Sequence, residues 1–170
     1  MKTTLERAAA LLLPIALFAT PLSAKDRDHD DQRQNAYERG RYLVIAGGCN
    51  DCHTPGYAES AGTLPDYQWL TGNPVGFQGP WGVSYPVNLR LLVQSITEEQ
   101  WLGYVRSPML PPMPWFNLRD MHDRDLRAIY RFIRALGPAG QPAPEPVAPG
   151  QPVNTPYIDF MPKNLPAAMQ

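Results

Sequence analysis

The run Cys49-Asn50-Asp51-Cys52-His53 contains both cysteines of this 170-residue chain and one of its three histidines. Two thiols three positions apart on a helical turn project to the same side, so each can bond one of the two vinyl groups at a haem edge. The histidine that follows can then supply the proximal imidazole nitrogen to the iron. In an exported protein this spacing predicts one covalent haem c, attached through Cys49 and Cys52, with His53 as an iron ligand.

Two other kinds of site use the same residue types. A redox-active dithiol of the thioredoxin kind needs alternating strands and helices around its cysteines, and strand-like runs are scarce here. A structural zinc ion needs four ligands, and only His29 and His122 remain to complete the set. We interpret His29 as a surface residue and His122 as a residue at a helix N-terminus. The residues therefore favour haem.

The N-terminus resembles an export signal. A basic start and an apolar stretch from Ala8 to Ala19 are followed by small residues near Ser23-Ala24. This pattern predicts a secretory signal peptide over residues 1–24, too short to span a membrane, and a periplasmic location. An uncleaved signal would instead be a membrane anchor. Residues 25–34 are almost all charged or polar and are predicted to form a solvated leader.

The composition bears on the class of partner and on the interactions that can stabilise the fold. The formal net charge is −1, and no basic stripe suggests nucleic acid as a partner. If both thiols hold haem, no disulfide can form, so the cofactor and the hydrophobic core must hold the fold together.

Three helices are predicted, and the fold class is all-α. The first runs from about Asn35 to Ala46 and leads into the cysteine motif. The second follows Thr97-Glu98-Glu99-Gln100, which fits a capping box, and ends soon after Arg106. The third runs from about Asp123 to Leu136 before Gly137-Pro138. The side chains predicted to form the buried side of the second helix are Trp101, Leu102, Tyr104 and Val105. The apolar residues that recur at three- and four-residue steps in the third are Leu126, Ile129, Tyr130, Ile133 and Leu136.

Two long segments lack such periodicity. Residues 54–96 are rich in Gly, Pro and Trp, and we expect this loop to wrap around the haem, with one short helix hidden in it. Residues 138–170 contain nine of the 20 prolines and are predicted to form an extended tail that is not a domain of its own. Apolar residues in its far half indicate docking, with a loose tail as the alternative: Val153, Tyr157, Ile158 and Phe160.

The sixth position of the iron is either filled or open, and this separates an electron carrier from a catalyst or sensor. Met113 lies in Pro111-Pro112-Met113-Pro114-Trp115, where the prolines stiffen the backbone and favour a weakly binding thioether. We predict Met113 as the second metal ligand. Met109 and an open site are the alternatives, and Met121 suits a packing role.

These features together resemble a class I cytochrome c over roughly residues 35–137. At finer grain the chain is similar to the cytochrome domains that serve bacterial periplasmic dehydrogenases for alcohols, aldehydes and sugar acids. The segments that carry the resemblance are Cys49 to Gly56 (CNDCHTPG), Gly79 to Leu89 (GPWGVSYPVNL), Thr97 to Arg106 (TEEQWLGYVR) and Pro111 to Leu136.

The resemblance implies three to four helices wrapped around one covalent haem, with long irregular loops. It implies Met113 as the distal ligand, and packing of the first helix against the last through Gly40, Tyr130 and Phe132. The function implied is that of a mono-haem electron carrier, not an enzyme, with a dehydrogenase as donor and a cytochrome or oxidase as acceptor. A haem enzyme or sensor with an open sixth position, similar to a peroxidase, is the alternative.

The sequence departs from the family in two respects. Relatives usually continue the Asn-Leu pair with Thr-Pro-Asp, whereas Asn88-Leu89 is followed here by Arg90-Leu91-Leu92. Many relatives carry three haem motifs, and this chain carries one. The proline whose carbonyl would orient His53 is open between Pro65 and Pro80. Five aromatic residues are expected either to line a dry haem pocket or to be ordinary core: Trp69, Phe77, Trp81, Tyr85 and Trp115.

Overall fold

The computed structural model describes residues 24–164 and residue 166, with side chains from residue 32 onward. The predicted signal peptide, apart from its last residue, and the side chain of His29 lie outside the described residues. Within them the chain forms six α-helices and three strands. Their bounds are α1 Ala24–Ala46, α2 Cys49–His53, β1 Gly76–Gly79, β2 Gly82–Ser84, α3 Leu89–Ser95, α4 Glu98–Arg106, α5 Trp115–Arg119, α6 Asp123–Ala135 and β3 Tyr157–Asp159.

The protein is mainly helical, as predicted, but the all-α assignment missed a small sheet. β1 pairs antiparallel with β2 and parallel with β3, in the order β2-β1-β3. Each strand has only three or four residues, which is too short for an alternating pattern to stand out from the sequence. No helix in the described part of the chain is both long and apolar enough to cross a membrane.

Helix α1 is longer than expected. It begins at Ala24 rather than near Asn35, so the backbone of the predicted leader, 25–34, is helical. Lys, Arg and Gln are good helix formers, and the exposed side chains of residues 32–35 bury nothing against the domain. The helix ends at Ala46 as predicted, where Gly48 takes a positive φ of 65°.

The crossing of α1 and α6 forms the centre of the fold. Gly40 is buried in α1, and a Cβ at this position would lie 2.1 Å from the Ala128 carbonyl oxygen and 2.6 Å from Phe132 Cβ. Tyr37, one turn earlier, meets Phe132 edge to face at 5.0 Å between ring centroids. The helices therefore approach closely because position 40 has no side chain. Tyr130 lies beside Trp101 and donates to the Ile96 carbonyl at 2.9 Å.

The hydrophobic core gathers side chains from every helix except α2 and from the loop before β1. Its buried members are Val44, Trp69, Leu70, Leu89, Val93, Trp101, Leu102, Val105, Leu118, Leu126, Ile129, Tyr130, Phe132 and Ile133.

The predicted ends of α4 and α6 are correct. Thr97 Oγ1 accepts from the Gln100 amide at 3.2 Å and Gln100 Oε1 accepts from the Thr97 amide at 2.8 Å, which completes the capping box. α6 ends at Ala135, and Gly137 takes a positive φ. The prediction was wrong for Tyr104, which is 37% exposed and stacks on Trp101 instead of joining the core.

The segment 54–96 contains one hairpin and one short α-helix between its loops. The short helix expected within it is α3, which begins after Asn88, whose side chain accepts from the Leu91 amide at 3.0 Å. The strands β1 and β2 form a tight hairpin with Phe77 opposite Ser84. Helix α5, which directly follows the proline-rich methionine loop, was not predicted.

The C-terminal tail is extended and docks on the sheet. Val83 and Val147 exchange both backbone hydrogen bonds, at 2.8 and 2.9 Å. β3 then lies beside β1, and Phe160 meets Phe77 edge to face at 5.3 Å. The tail therefore belongs to the same fold, in line with the apolar residues of its far half.

Substitution of Gly40 by Ala should destabilise the protein by about 2 to 3 kcal/mol, since the new methyl group meets the Ala128 backbone and forces α1 away from α6. Gly103→Ala is the matched control. It lies inside α4 with nothing within 4 Å of the new Cβ, and it should stabilise the helix by up to about 1 kcal/mol. Urea unfolding followed by circular dichroism measures both changes. Equal effects at the two positions would contradict the close helix crossing.

Candidate functional site

The cysteine motif forms α2, a helix of five residues that starts directly after the left-handed Gly48. Cys49 and Cys52 are both free and half-buried, and Cys49 packs against the hydrophobic core. Because α2 is a single turn, the two thiols are held three positions apart on one side of it, as predicted.

Both thiols are protonated at neutral pH in this environment. Burial raises the pKa of the Cys49 thiol to about 11. Burial also raises the pKa of Cys52, and the neighbouring Asp51 carboxylate adds to the effect. Neither cysteine has the lowered pKa typical of a reactive dithiol, in which a thiolate is stabilised by nearby positive charge.

His53 is 7% exposed, and a backbone carbonyl holds its ring. His53 Nδ1 lies 2.8 Å from the Val87 oxygen. A carbonyl can only accept, so Nδ1 carries the proton and Nε2 keeps its lone pair. Burial lowers the pKa of the imidazole, although the Val87 bond acts in the opposite direction, which favours the neutral ring. The expectation that Pro65 or Pro80 provides this carbonyl was wrong.

A second set of hydrogen bonds joins the motif to the segment that contains Leu70 and Gly72. Thr54 Oγ1 donates to Asn50 Oδ1 at 2.7 Å and accepts from the Leu70 amide at 2.8 Å. The His53 carbonyl accepts from the Gly72 amide at 2.9 Å. Asn50 is fully buried, and its Nδ2 has no hydrogen-bond partner among the described residues. A buried donor left unpaired costs about 1–3 kcal/mol, so this site can accommodate an additional acceptor.

Two buried polar side chains fix the segment that carries the Val87 carbonyl. Asn88 donates to the carbonyls of Ala139 and Gln141 at 2.8 and 3.0 Å. Arg90 donates from its three guanidinium nitrogens to the carbonyls of Tyr67, Leu136 and Gly137. These bonds join the segment Pro86–Arg90 to the end of α6 and the start of the tail.

Met113 is half-buried and packs against the same core as Cys49. Its loop is joined to the histidine side of the site through one short segment. Ser84 Oγ donates to the Pro111 carbonyl, and Val87, three residues after Ser84, accepts from His53. The structure therefore places the Met113 loop and His53 at the two ends of the segment 84–87.

The other candidate ligands have different surroundings. Met121 is half-buried against the core, which agrees with its predicted packing role. Met109 is half-buried in the loop after α4. His122 is exposed and stands at the N-terminus of α6, as predicted.

The aromatic residues expected near the haem occupy separate places. Trp69 is in the core, and its Nε1 donates to the Leu64 carbonyl at 2.8 Å. Phe77, Trp81 and Tyr85 lie in and around the hairpin, where Tyr85 bonds Thr155 of the tail. Trp115 lies two residues after Met113 and is stacked by Arg119.

Among the described residues, no three His, Cys, Asp or Glu side chains gather closely enough to share one metal ion. The two thiols and the imidazole of the motif are therefore not grouped as ligands of one metal ion. Two surface hollows, of about 460 and 720 Å³, lie along α1 and are lined in part by Gln32, Ala36 and Arg131. Cys49, Cys52, His53 and Met113 line neither hollow.

Comparison with known proteins gives one informative match. Over 116 residues the chain is 28% identical to a subunit of the nicotinate dehydrogenase of Pseudomonas putida, and the matched region covers 63% of this chain. The chain spans only 9% of that relative's length. No family model matches the chain, and no solved structure does. The match supports a likeness to part of a dehydrogenase subunit.

Sequence reasoning found the motif but missed the groups that support it. The Val87 carbonyl carries no side-chain signal. Arg90 did have one, because it is a cation within the apolar run Leu89–Val93, where a charge is expected only if it is buried with partners. Asn88 could have been found as the N-cap of α3.

Replacing Asn88 with Ala should cost about 2 to 3 kcal/mol of unfolding free energy, because it removes both a helix cap and two donors to tail carbonyls. Thr97→Ala removes only the exposed cap of α4 and should cost about 1 kcal/mol. Urea titrations of the two variants check this difference. If Asn88→Ala costs no more than Thr97→Ala, its bonds to the tail contribute nothing to stability.

Proposed function

We propose that this chain is a periplasmic mono-haem c-type cytochrome that carries single electrons between a dehydrogenase and the respiratory chain. The observation that carries the proposal is His53, a buried and neutral imidazole at the end of a C-x-x-C-H turn. Its Nδ1 proton is held on the Val87 carbonyl, and its Nε2 lone pair is left for iron. Bound in this way, haem supplies one-electron transfer between ferrous and ferric iron.

The residues of α2 fit covalent attachment of a haem. Cys49 and Cys52 lie on one turn and remain protonated thiols at neutral pH. Each would hold a haem through a thioether, formed by addition of its S–H across one vinyl group. A structural zinc ion needs four ligands, and among the described residues no three His, Cys, Asp or Glu side chains are grouped to hold a metal ion.

His53 would serve as the proximal ligand, and the Val87 carbonyl would set its orientation and basicity. A hydrogen bond from Nδ1 to a carbonyl fixes the tautomer and the ring orientation and raises the basicity of Nε2. Burial disfavours a protonated ring, so the lone pair remains available. The unpaired Nδ2 of the buried Asn50, within the same turn, fits a bound group that brings acceptors of its own.

Met113 would serve as the distal ligand. The hydrogen bond from Ser84 to the Pro111 carbonyl joins its loop to the segment that holds His53. Its side chain and Cys49 pack against the same hydrophobic core. A thioether ligand favours the reduced metal and raises the reduction potential. Apolar surroundings act in the same direction, since they disfavour the extra charge of the ferric state.

Partners would dock on a weakly charged surface. Three apolar side chains are exposed near the methionine loop, namely Tyr104, Leu110 and Phe116. With a formal net charge of −1, electrostatic steering should be weak and association transient, through a small patch. The similarity to a dehydrogenase subunit supports a dehydrogenase as the electron donor. A cytochrome or an oxidase is the acceptor we propose.

The first test is the haem itself. Expressed with its export signal and the cytochrome maturation machinery, the wild-type protein should give a pyridine haemochrome spectrum of thioether-linked haem that survives denaturation and acid-acetone extraction. Cys49→Ala and Cys52→Ala should each lose one thioether, which shifts that spectrum, and His122→Ala should leave it unchanged. A colourless wild-type protein of the correct mass would exclude the proposal in favour of a dithiol or zinc site.

The second test concerns Met113. Met113→Ala should abolish the far-red absorption band of methionine-ligated ferric haem and lower the midpoint potential, because the thioether that favours ferrous iron is lost. Met109→Ala is the matched control in the same loop and should keep both properties. An unchanged spectrum in Met113→Ala would support the alternative function, an enzyme or sensor with an open iron position. A loss only in Met109→Ala would move the ligand to that residue.

A further inference from the structure

Arg90 is a buried cation without an anionic partner among the described residues. It is 5% exposed, and its guanidinium donates only to three backbone carbonyls, with Nε to Gly137 and Nη1 to Tyr67 both at 2.6 Å, and Nη2 to Leu136. Other arginines of the domain form ion pairs with carboxylates: Arg39, Arg41, Arg106, Arg119, Arg127 and Arg131.

Arg90 remains charged, although burial lowers the pKa of its guanidinium. An arginine stays protonated in proteins, and burial of an unpaired charge is costly unless polar groups replace the water it loses. Here backbone carbonyls take the place of that water. Leu136 and Gly137 follow directly after the last residue of α6, and the C-terminal end of a helix carries partial negative charge that stabilises a cation.

This charge lies close in the chain to the group that holds His53. Val87, whose carbonyl accepts from His53 Nδ1, precedes Arg90 by three residues. The Arg90 amide also donates to the Leu70 carbonyl at 3.3 Å, and the Leu70 amide bonds Thr54 beside the motif. Arg90 is therefore connected to both sides of the cysteine motif.

We infer that Arg90 is a positioning residue whose buried positive charge, unmatched by a carboxylate among the described residues, also raises the reduction potential of the iron. This inference rests on the proposed function. Oxidation adds one positive charge to the iron site, and a like charge held in the protein interior opposes that change more strongly than one in water does. The ferrous state is favoured as a result. The bonds to Leu136 and Gly137 keep the Val87 carbonyl in position for His53.

The experiment compares midpoint potentials of the full-length, haem-loaded protein. Arg90→Gln removes the charge but keeps amide donors for the carbonyls, and Arg90→Met replaces the cation by an apolar chain of similar length, an exchange that buried sites often tolerate. Arg90→Lys keeps the charge. The matched control is Arg134→Gln, since Arg134 also donates to a backbone carbonyl, that of Val93 at 2.7 Å, but is exposed.

Both neutral variants should lower the midpoint potential, with the ratio of ferrous to ferric protein at a fixed solution potential falling by about two- to ten-fold. Arg90→Lys and Arg134→Gln should stay close to wild type. Wild-type potentials in Arg90→Gln and Arg90→Met would overturn the inference, even if both variants were less stable, because a purely structural role does not require a charge.

Arg90 variants that yield no haem-loaded protein also test the inference. If neither neutral variant yields haem-loaded protein but Arg90→Lys does so with a wild-type potential, a cation is required at this position, which supports the positioning role of Arg90. If Arg90→Lys yields no haem-loaded protein either, the geometry of the guanidinium donors matters rather than the charge, and the inference is overturned. A pyridine haemochrome assay on the wild type separates these results from failure of the proposed function, in which no haem would be present at all.

Discussion

The hydrogen bond from His53 Nδ1 to the Val87 carbonyl joins residues 34 positions apart, and much of the structure around it keeps that carbonyl in place. Asn88 and Arg90 bond the following residues to the end of α6 and the start of the tail. Ser84 bonds the preceding residues to the methionine loop. A backbone carbonyl is a weak partner unless its position is fixed, since a mobile acceptor would leave the imidazole free to rotate or to change tautomer.

The helix crossing of α1 and α6 supplies the rigid base on which this arrangement rests. The two described cysteines are unpaired, so no disulfide reduces the entropy of the unfolded chain, and burial of apolar side chains must provide the stability. Gly40 allows the backbones to approach closely, and α1 then leads through Gly47 and Gly48 directly into α2. The packing of α1 against α6 thus helps to set the position of the cysteines, which follow α1 after two glycines.

The parts of the fold that could be predicted are those with local signals. The capping box at Thr97, the three- and four-residue spacing in α6 and the glycines after α1 each mark an element through neighbouring residues. The sheet has no such signal, because β3 pairs with β1 across a long stretch of chain and each strand is too short for a pattern. The extension of α1 was missed because a polar segment can be helical without burying anything. At the site, the motif marked the cysteines and the histidine as candidate ligands, whereas the Val87 carbonyl had no sequence signal, since every residue has a carbonyl.

The chain order of these supports has a consequence for biogenesis. Synthesis proceeds from the N-terminus, so the C-x-x-C-H turn emerges long before Leu136, Gly137, Ala139 and Gln141, whose carbonyls clasp Arg90 and Asn88. A nascent polypeptide that stops short of these residues contains every proposed ligand. It lacks the hydrogen bonds of Arg90 and Asn88 that fix the segment carrying the Val87 carbonyl. The His53 imidazole is therefore held in one orientation only after residues 136–141, in the last third of the protein, have been synthesised.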